Sequence, residues 1–168
     1  MDALSHLADP NLIIFGKLAL AALLGMIIGT ERTTAGKGAG TRTFSLVSLG
    51  SCLFMTISYT IDNQFLGYVN FDPMRVAAGI ITGIGFLGAG LIVFQEHRLQ
   101  GLTTAAGLWV VAGLGMAVGS GMYLVAIFAT ALIVIVFTAV WFLENRIKQW
   151  LNYHEQPSLD PRIPGEEI

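Results

Sequence analysis

The chain reads GTERTTAGKGAGTRT over Gly29–Thr43, a polar and glycine-rich segment between two long apolar runs. The preceding run, Leu12–Ile28, contains one charged residue, and the following run, Phe44–Ile61, contains none. A helix needs about 20 mostly apolar residues to cross the hydrocarbon core of a bilayer. The segment is therefore predicted to connect two membrane-spanning helices.

The composition favours lipid over water as the solvent of this chain. Of its 168 residues, 54% are hydrophobic and 12% are charged, and the mean hydropathy is +0.69. A water-soluble domain averages about 25% charged residues, and a soluble core of this length has no room for so much apolar surface. Nucleic-acid binding is not expected without a basic face. Cys52 is the single cysteine and is expected to be a small buried side chain.

Five segments have the length and composition of membrane spans, so the chain is predicted to be an all-α membrane protein. They are Asn11–Gly29, Thr43–Ile61, Arg75–Phe94, Leu102–Gly119 and Met122–Leu143. Strands are not expected, because the runs are long and lack alternating polarity. Residues 1–10 form a predicted outer segment, residues 11–143 the transmembrane domain, and residues 144–168 a cytoplasmic tail that begins with a short interfacial helix and ends in disorder.

The distribution of Lys and Arg predicts the orientation, because short cytoplasmic loops carry the excess of these residues. With the N-terminus outside and the C-terminus cytoplasmic, seven of the nine basic residues face the cytoplasm. They are Arg32, Lys37, Arg42, Arg98, Arg146, Lys148 and Arg162. The outer side receives Arg75, and Lys17 lies in the outer half of the first span, where it is expected to snorkel outward.

Small residues mark the predicted contact faces, because helices in lipid associate where their backbones approach closely. Three glycine pairs have the spacing of such faces, and the third span carries further glycines towards its cytoplasmic end. The predicted packing set is Gly25, Gly29, Gly79, Gly83, Gly85, Gly88, Gly90, Gly115 and Gly119. An alternative for the third span is that so many glycines let the helix bend or partly unwind.

Under this topology, several polar residues meet at the cytoplasmic side. Thr103 and Thr104 open the fourth span there as candidate caps for free backbone N–H groups, and the helix dipole adds partial positive charge. The charges are either solvated pairs at the membrane edge or part of a gate, ion pathway or partner contact. The candidate functional residues are Glu31, Arg32, Arg42, Thr43, Asp72, Arg75, Thr103 and Thr104.

The outer residues Asp72 and Arg75 are also explained by capping and bracing the start of the third span. A structural metal site needs more oxygen ligands than Asp62 and Asp72 supply. No Ser-His-Asp, Cys-His or zinc-like set is present in the sequence. The glycine spacing of Gly83–Gly88 lies inside an apolar span, which is the wrong context for a dinucleotide fingerprint. We therefore expect no enzymatic activity and derive no cofactor.

Five short motifs occur in order along the chain. They are GMIIGTER at residues 25–32, AGTRT at 39–43, RVAA at 75–78, GIGFLGAG at 83–90 and GLTTAAGLW at 101–109. Together they resemble the MgtC/SapB family of bacterial inner-membrane proteins over about residues 12–145. The resemblance implies a five-span protein of the bacterial inner membrane that is linked to magnesium limitation. Many members carry a soluble C-terminal domain, which is not expected in the residues after the last span.

The resemblance also implies a role, since the best-studied members look more like regulators of other membrane proteins, including the F-type ATP synthase, than like transporters. We therefore expect a non-enzymatic membrane regulator that binds partner helices through its small-residue faces. The alternative is a transporter or channel for Mg²⁺ or another cation. Near the spans, acidic ligands are limited to Glu31 on the inner side and Asp72 on the outer side. A homo-oligomer would bring several copies of each together.

Overall fold

The computed structural model describes residues 9–64, 72–95 and 98–154 of the chain. In chain order the elements are α1 (Pro10–Thr34), α2 (Thr41–Gln64), α3 (Pro73–Leu91), β1 (Val93–Gln95), β2 (Arg98–Gln100), α4 (Leu102–Gly119) and α5 (Tyr123–His154). Five helices are long and apolar enough to cross a membrane. The predicted all-α membrane fold with five spans is confirmed, whereas the orientation of its termini stays a prediction.

Helix α2 lies at the centre of the compact unit that extends to Val134, because it packs against α1, α3 and α4. Its buried side chains are mostly small, and they include Ser48, Ser51, Cys52 and Ser58. Small side chains let the neighbouring helix axes come close, which in lipid replaces the hydrophobic drive for association. Cys52 is fully buried, as predicted.

Two glycine pairs form the closest helix contacts of the unit. A Cβ atom on Gly25 would lie 2.6 Å from the Phe44 carbonyl oxygen, and one on Gly29 would lie 2.6 Å from the Thr41 Cα. On the other side of α2, a Cβ on Gly119 would lie 2.8 Å from the Cys52 carbonyl oxygen. Real Cβ atoms do not come this close to backbone, so α2 is held between the glycine seams of α1 and α4.

The glycines of α3 behave differently. A Cβ added at Gly79, Gly83, Gly85 or Gly90 would have no heavy atom of another residue's side chain or of a neighbouring helix within 4 Å. Gly88 makes an ordinary contact, with its Cβ position 3.5 Å from the Ala105 Cβ. The packing predicted for the four open glycines is therefore not made among the described helices. Nor does α3 unwind, because Pro73–Leu91 is a continuous α-helix.

The third span ends earlier than the sequence predicts. The third span ends at Leu91 instead of Phe94, because Ile92 takes an extended conformation and a two-stranded hairpin follows. The spans are helical, as expected, but the hairpin after α3 was not predicted: Val93 pairs with Gln100 and Phe94 with Leu99 in antiparallel register. The residues Ile92, Val93 and Phe94 are β-branched or aromatic, which favours extended backbone once the helix has ended.

The short interfacial helix predicted after Leu143 falls within the fifth helix, and its place at the membrane interface stays a prediction. The fifth helix continues without interruption to His154, because no Gly or Pro lies between these two residues to end it. From Ile135 onward the chain forms a separate unit, in which the Arg146 guanidinium stands 5.4 Å from the centre of the Phe142 ring. The predicted disorder of the last dozen residues and most of the predicted outer N-terminal segment lie outside the described residues.

Candidate functional site

The segment that joins α1 to α2 is built around a left-handed glycine. Gly36 has a φ of 67°, its N–H donates to the Thr33 carbonyl over 3.1 Å, and the Lys37 N–H donates to the Arg32 carbonyl over 3.0 Å. This pattern is a Schellman motif, which satisfies the last carbonyls of a helix and needs a residue without a Cβ strain penalty. The loop therefore leaves α1 in a fixed direction.

Thr33 fixes the start of α2 against the end of α1. Its Oγ1 accepts a hydrogen bond from the Thr41 backbone N–H over 3.0 Å, and its hydroxyl donates to the Gly29 carbonyl over 3.0 Å. The first N–H groups of a helix have no partner within the helix, so an oxygen supplied by the preceding helix serves as the cap. Thr33 lies in the Gly29–Thr43 segment but was not among the candidate functional residues predicted from the sequence.

Glu31 and Arg32 form a two-point ion pair at the end of α1. Arg32 Nε donates to Glu31 Oε2, and Arg32 Nη2 donates to Glu31 Oε1 over 2.6 Å. The Arg32 side chain is only 3% exposed, whereas that of Glu31 is 18% exposed. Solvated pairs at the membrane edge were one interpretation of these charges from the sequence. Glu31 and Arg32 do pair with each other, but the Arg32 side chain is buried instead of solvated. Such a pair fixes the two side chains and neutralises a buried cation.

The remaining predicted residues near this loop are separated from that pair. Arg42 is exposed at the start of α2, and Thr43 lies beside it on the wall of a groove that is described below. At the start of α3, Asp72 Oδ1 accepts a hydrogen bond from the Met74 N–H over 2.9 Å. Asp72 is therefore the N-cap of α3, and Arg75 is exposed and contributes its backbone N–H to the same turn.

A cavity of about 630 Å³ with a mixed polar and apolar lining opens where α1 and α3 end and α4 begins; we call it the loop cavity. It is lined by Gly36, Lys37, Gly38, Leu91, Val93, Leu99, Gln100, Gly101, Leu102, Thr103 and Thr104. The structure thus brings the Gly29–Thr43 segment and the two threonines together, as the predicted topology requires. Lys37 supplies the charged side chain of its lining, and Glu31, Arg32 and Arg42 lie outside it.

The capping role predicted for the two threonines was wrong. The N-cap position of α4 is Gly101, which has a φ of 87° and gives no side-chain cap. A Cβ on Gly101 would lie 2.9 Å from the Leu91 carbonyl carbon and overlap its oxygen, so both the backbone conformation and the close approach require glycine. Thr103 and Thr104 consequently fall inside the first helical turn, where their hydroxyls cannot act as the N-cap.

A second, apolar cavity of about 680 Å³ lies between α2 and α3; we call it the α2–α3 groove. Its walls are Thr43, Leu46, Val47, Gly50, Ser51, Phe54, Val76, Gly79, Ile80, Gly83, Ile84 and Leu87. Three glycines leave it wide, since Cβ atoms at Gly50, Gly79 and Gly83 would meet no heavy atom within 4 Å. Sequence reasoning assigned the α3 glycines to packing and missed the groove. A usable signal was Gly50 in the second span, which has no second glycine four residues away and so does not belong to a packing pair.

Lys17 does not simply snorkel outward. Its Nζ donates to the Gly119 carbonyl over 3.0 Å, and the contact is partly buried. Gly119 is the last residue of α4, where free carbonyls and the helix dipole favour a cation. Lys17 therefore ties α1 to α4 at the end of the bundle opposite to the loop cavity.

The described residues contain no group of three or more His, Cys, Asp and Glu side chains placed to hold a metal ion. The polar groups in and near the loop cavity include the Glu31–Arg32 ion pair, the Lys37 side chain and the backbone amides at the start of α4.

Comparison with known proteins identifies the family. The MgtC family model matches residues 18–146. The chain belongs to the MgtC family. No solved structure matches this MgtC family member.

Three relatives illustrate the range of the MgtC family. The chain is 43% identical over 145 residues to the Escherichia coli K12 protein named "Putative magnesium transporter YhiD", with 85% of this chain and 67% of the relative covered. It is 39% identical over 136 residues to Protein SapB of Bacillus subtilis, covering 79% of this chain and 57% of the relative. It is 42% identical over 116 residues to Protein MgtC of Salmonella typhimurium, covering 69% and 47%. The chain thus spans between about half and two thirds of these proteins.

Proposed function

We propose that this protein is a non-enzymatic regulator in the bacterial inner membrane, which binds a transmembrane helix of another membrane protein in the α2–α3 groove. The observation that carries the proposal is the open glycine wall of that groove. Cβ positions at Gly50, Gly79 and Gly83 have no neighbour within 4 Å, and the surrounding side chains are apolar. A passing helix can therefore approach the backbone of α3 without a clash.

The chemistry of the groove matches that of the contacts inside the bundle. Gly25 and Gly29 on α1, and Gly115 and Gly119 on α4, each meet the backbone or Cβ atoms of α2 at less than ordinary contact distance from their Cβ positions. Close packing of small residues is the main attraction between helices in lipid. The glycine-lined groove offers a third surface of this kind, which the described part of the chain leaves uncovered. The groove could instead be filled by a lipid acyl group or by a second copy of this protein, and these are the competing occupants.

Family membership supports the physiological part of the proposal. The name of the Escherichia coli relative connects that protein with magnesium, and the resemblance to the MgtC/SapB family points to adaptation to magnesium limitation. The same resemblance makes the F-type ATP synthase the first partner to examine.

Site-specific photo-crosslinking tests the occupant. A photoreactive phenylalanine analogue replaces Phe54, which lines the groove and is 56% exposed, or Phe128 on α5, which lies outside the groove and is 66% exposed. We expect the Phe54 probe, and not the Phe128 probe, to form an adduct with a membrane subunit of the F-type ATP synthase, detected with subunit-specific antibodies. Adducts with lipid or with this chain alone, or equal adducts from both positions, would reject a partner helix in the groove.

The alternative function, transport of Mg²⁺ or another cation, is supported by the name of the Escherichia coli relative. Purified protein in liposomes that contain a magnesium-sensitive dye separates the two functions. The regulator proposal expects uptake no faster than in empty vesicles, with and without a membrane potential. Uptake that depends on the protein and is saturable would replace the regulator by a transporter.

A further inference from the structure

The start of α4 presents unpaired donors to the loop cavity. The first hydrogen bond of the helix is made by the Ala105 N–H, which donates to the Gly101 carbonyl over 2.8 Å. The N–H groups of Leu102, Thr103 and Thr104 come before it and have no carbonyl in the helix to reach. Gly101, at the N-cap, has no side chain that could accept from them. The cavity wall therefore carries the positive end of an 18-residue helix.

Thr104 gives a second and independent indication of a ligand. Its side chain is 5% exposed, it lines the loop cavity, and its hydroxyl has no hydrogen-bond partner among the described residues. Other helical threonines donate to a carbonyl of the preceding turn, as Thr82 does to Ala78 and Thr130 does to Ala126. Thr104 makes no bond of this kind, and the carbonyl four residues before it belongs to Gln100, which precedes the helix. Because Thr104 lines the cavity, its hydroxyl is free to donate to an acceptor that enters the cavity.

The charge of the cavity selects the kind of acceptor. Lys37 lines the cavity wall that the α1–α2 segment contributes, and its neighbours Gly36 and Gly38 line the same wall. A lysine ammonium and the amides of a helix N-terminus both favour anionic oxygen, and together they form the usual environment of a bound phosphoryl group. Around the cavity, Val93, Leu99 and Leu102 are exposed apolar side chains at the level of the hairpin.

We propose that the loop cavity binds a phosphoryl group, held by the first-turn amides of α4, the Thr104 hydroxyl and the Lys37 ammonium. The group is either the headgroup phosphate of an anionic phospholipid, whose chains would cover the exposed apolar side chains beside the cavity, or free phosphate. The loop cavity and the α2–α3 groove share no lining residue. The phosphoryl site therefore stands whether or not the groove binds a partner helix.

The experiment uses the full-length protein in a neutral detergent. Native mass spectrometry measures the dissociation constant of phosphatidylglycerol, and calorimetry measures that of inorganic phosphate. The variants are Lys37→Gln, which removes the charge, and Thr104→Val, which removes the hydroxyl at constant shape. The control is Arg42→Gln, because Arg42 is an exposed cation of the same segment that does not line the cavity.

We expect one tight ligand per chain. Its binding should weaken about tenfold or more in Lys37→Gln, which loses a charge-assisted bond, and about three- to tenfold in Thr104→Val. Arg42→Gln should bind as the wild type does. Tight phosphatidylglycerol with no phosphate binding identifies a lipid site, and the reverse identifies a free-anion site.

Three results would overturn the phosphoryl site. The first is absence of binding by both probes. The second is binding that survives Lys37→Gln and Thr104→Val unchanged while both proteins keep the wild-type melting temperature. The third is an equal loss in Arg42→Gln, which would reduce the effect to the general positive charge of the segment.

Discussion

Replacing Gly115 by alanine tests how α4 is held against α2. The new Cβ would lie 2.9 Å from the carbonyl carbon of Ser48 and 3.0 Å from its Cα, and closer still to its carbonyl oxygen. All three are backbone atoms, so no change of rotamer relieves the overlap. Carbon atoms in contact prefer a separation of about 3.5–4.0 Å, so the two helices must move apart by at least about 0.6–1 Å, and further to relieve the closer contact with the carbonyl oxygen.

The energetic cost follows from that displacement. Inserting an extra methyl group into a close-packed contact costs about 1–3 kcal/mol, and a gap of this size also removes a quarter to a half of the dispersion attraction across the seam. The better helix propensity of alanine returns up to ~1 kcal/mol. We therefore expect Gly115→Ala to lower the free energy of unfolding by about 2 kcal/mol, or roughly thirtyfold in the equilibrium constant.

The assay is reversible unfolding in mixed micelles by titration with a denaturing detergent, followed by circular dichroism. Gly113→Ala is the matched control, because it makes the same change in the same helix at a position where the new Cβ would meet nothing within 4 Å. It should leave stability unchanged or raise it. Equal stability of the two variants, or a more stable Gly115→Ala, would refute the close α2–α4 seam.

The end of the bundle at the loop cavity gives further predictions, which the same assay measures. Glu31→Gln should lower the free energy of unfolding by about 2 kcal/mol, since it breaks the two-point pair with buried Arg32. Thr33→Val should cost about 1 kcal/mol, because the Thr41 N–H loses its acceptor. Gly101→Ala should cost more than 2 kcal/mol, since a positive φ is combined with a backbone overlap.

Each of these changes has a control that isolates its cause. Arg42→Gln removes an exposed charge of the same segment and should be near neutral. Thr34→Val removes a hydroxyl that bonds only within its own helix, to the Glu31 carbonyl. Gly36→Ala introduces the strain of a positive φ into open space, so it should cost only about 1 kcal/mol. If a control variant lowers the free energy of unfolding as much as the variant it is matched with, the named contact does not cause the loss of stability.

Much of the fold could be read from the sequence because its strongest signal is hydropathy. Long apolar runs with few charges leave a chain few options in lipid, and all five spans were located. The boundaries were less certain because local chemistry sets them. The hairpin after Leu91 depends on pairing between Val93–Gln95 and Arg98–Gln100, and three-residue strands have too little periodicity to be detected.

The candidate site was predictable in its location and not in its contacts. Topology alone placed the Gly29–Thr43 segment beside the start of α4, and the structure brings Lys37 and Thr104 to one cavity. Which charge enters the cavity depends on the Schellman turn at Gly36, which directs Lys37 there while Arg32 turns back to pair with Glu31. Glycine spacing likewise identified candidate faces without showing which would be covered, because coverage depends on the helix that lies opposite.

The most direct test of the account compares two glycine-to-leucine variants in the photo-crosslinking experiment at Phe54. Gly83→Leu places a large side chain in the α2–α3 groove, and Gly113→Leu places the same side chain in a separate open space on α4. If a partner helix occupies the groove, the crosslink to the partner disappears in Gly83→Leu and persists in Gly113→Leu. A crosslink that persists in Gly83→Leu, or one lost only in Gly113→Leu, would contradict the account.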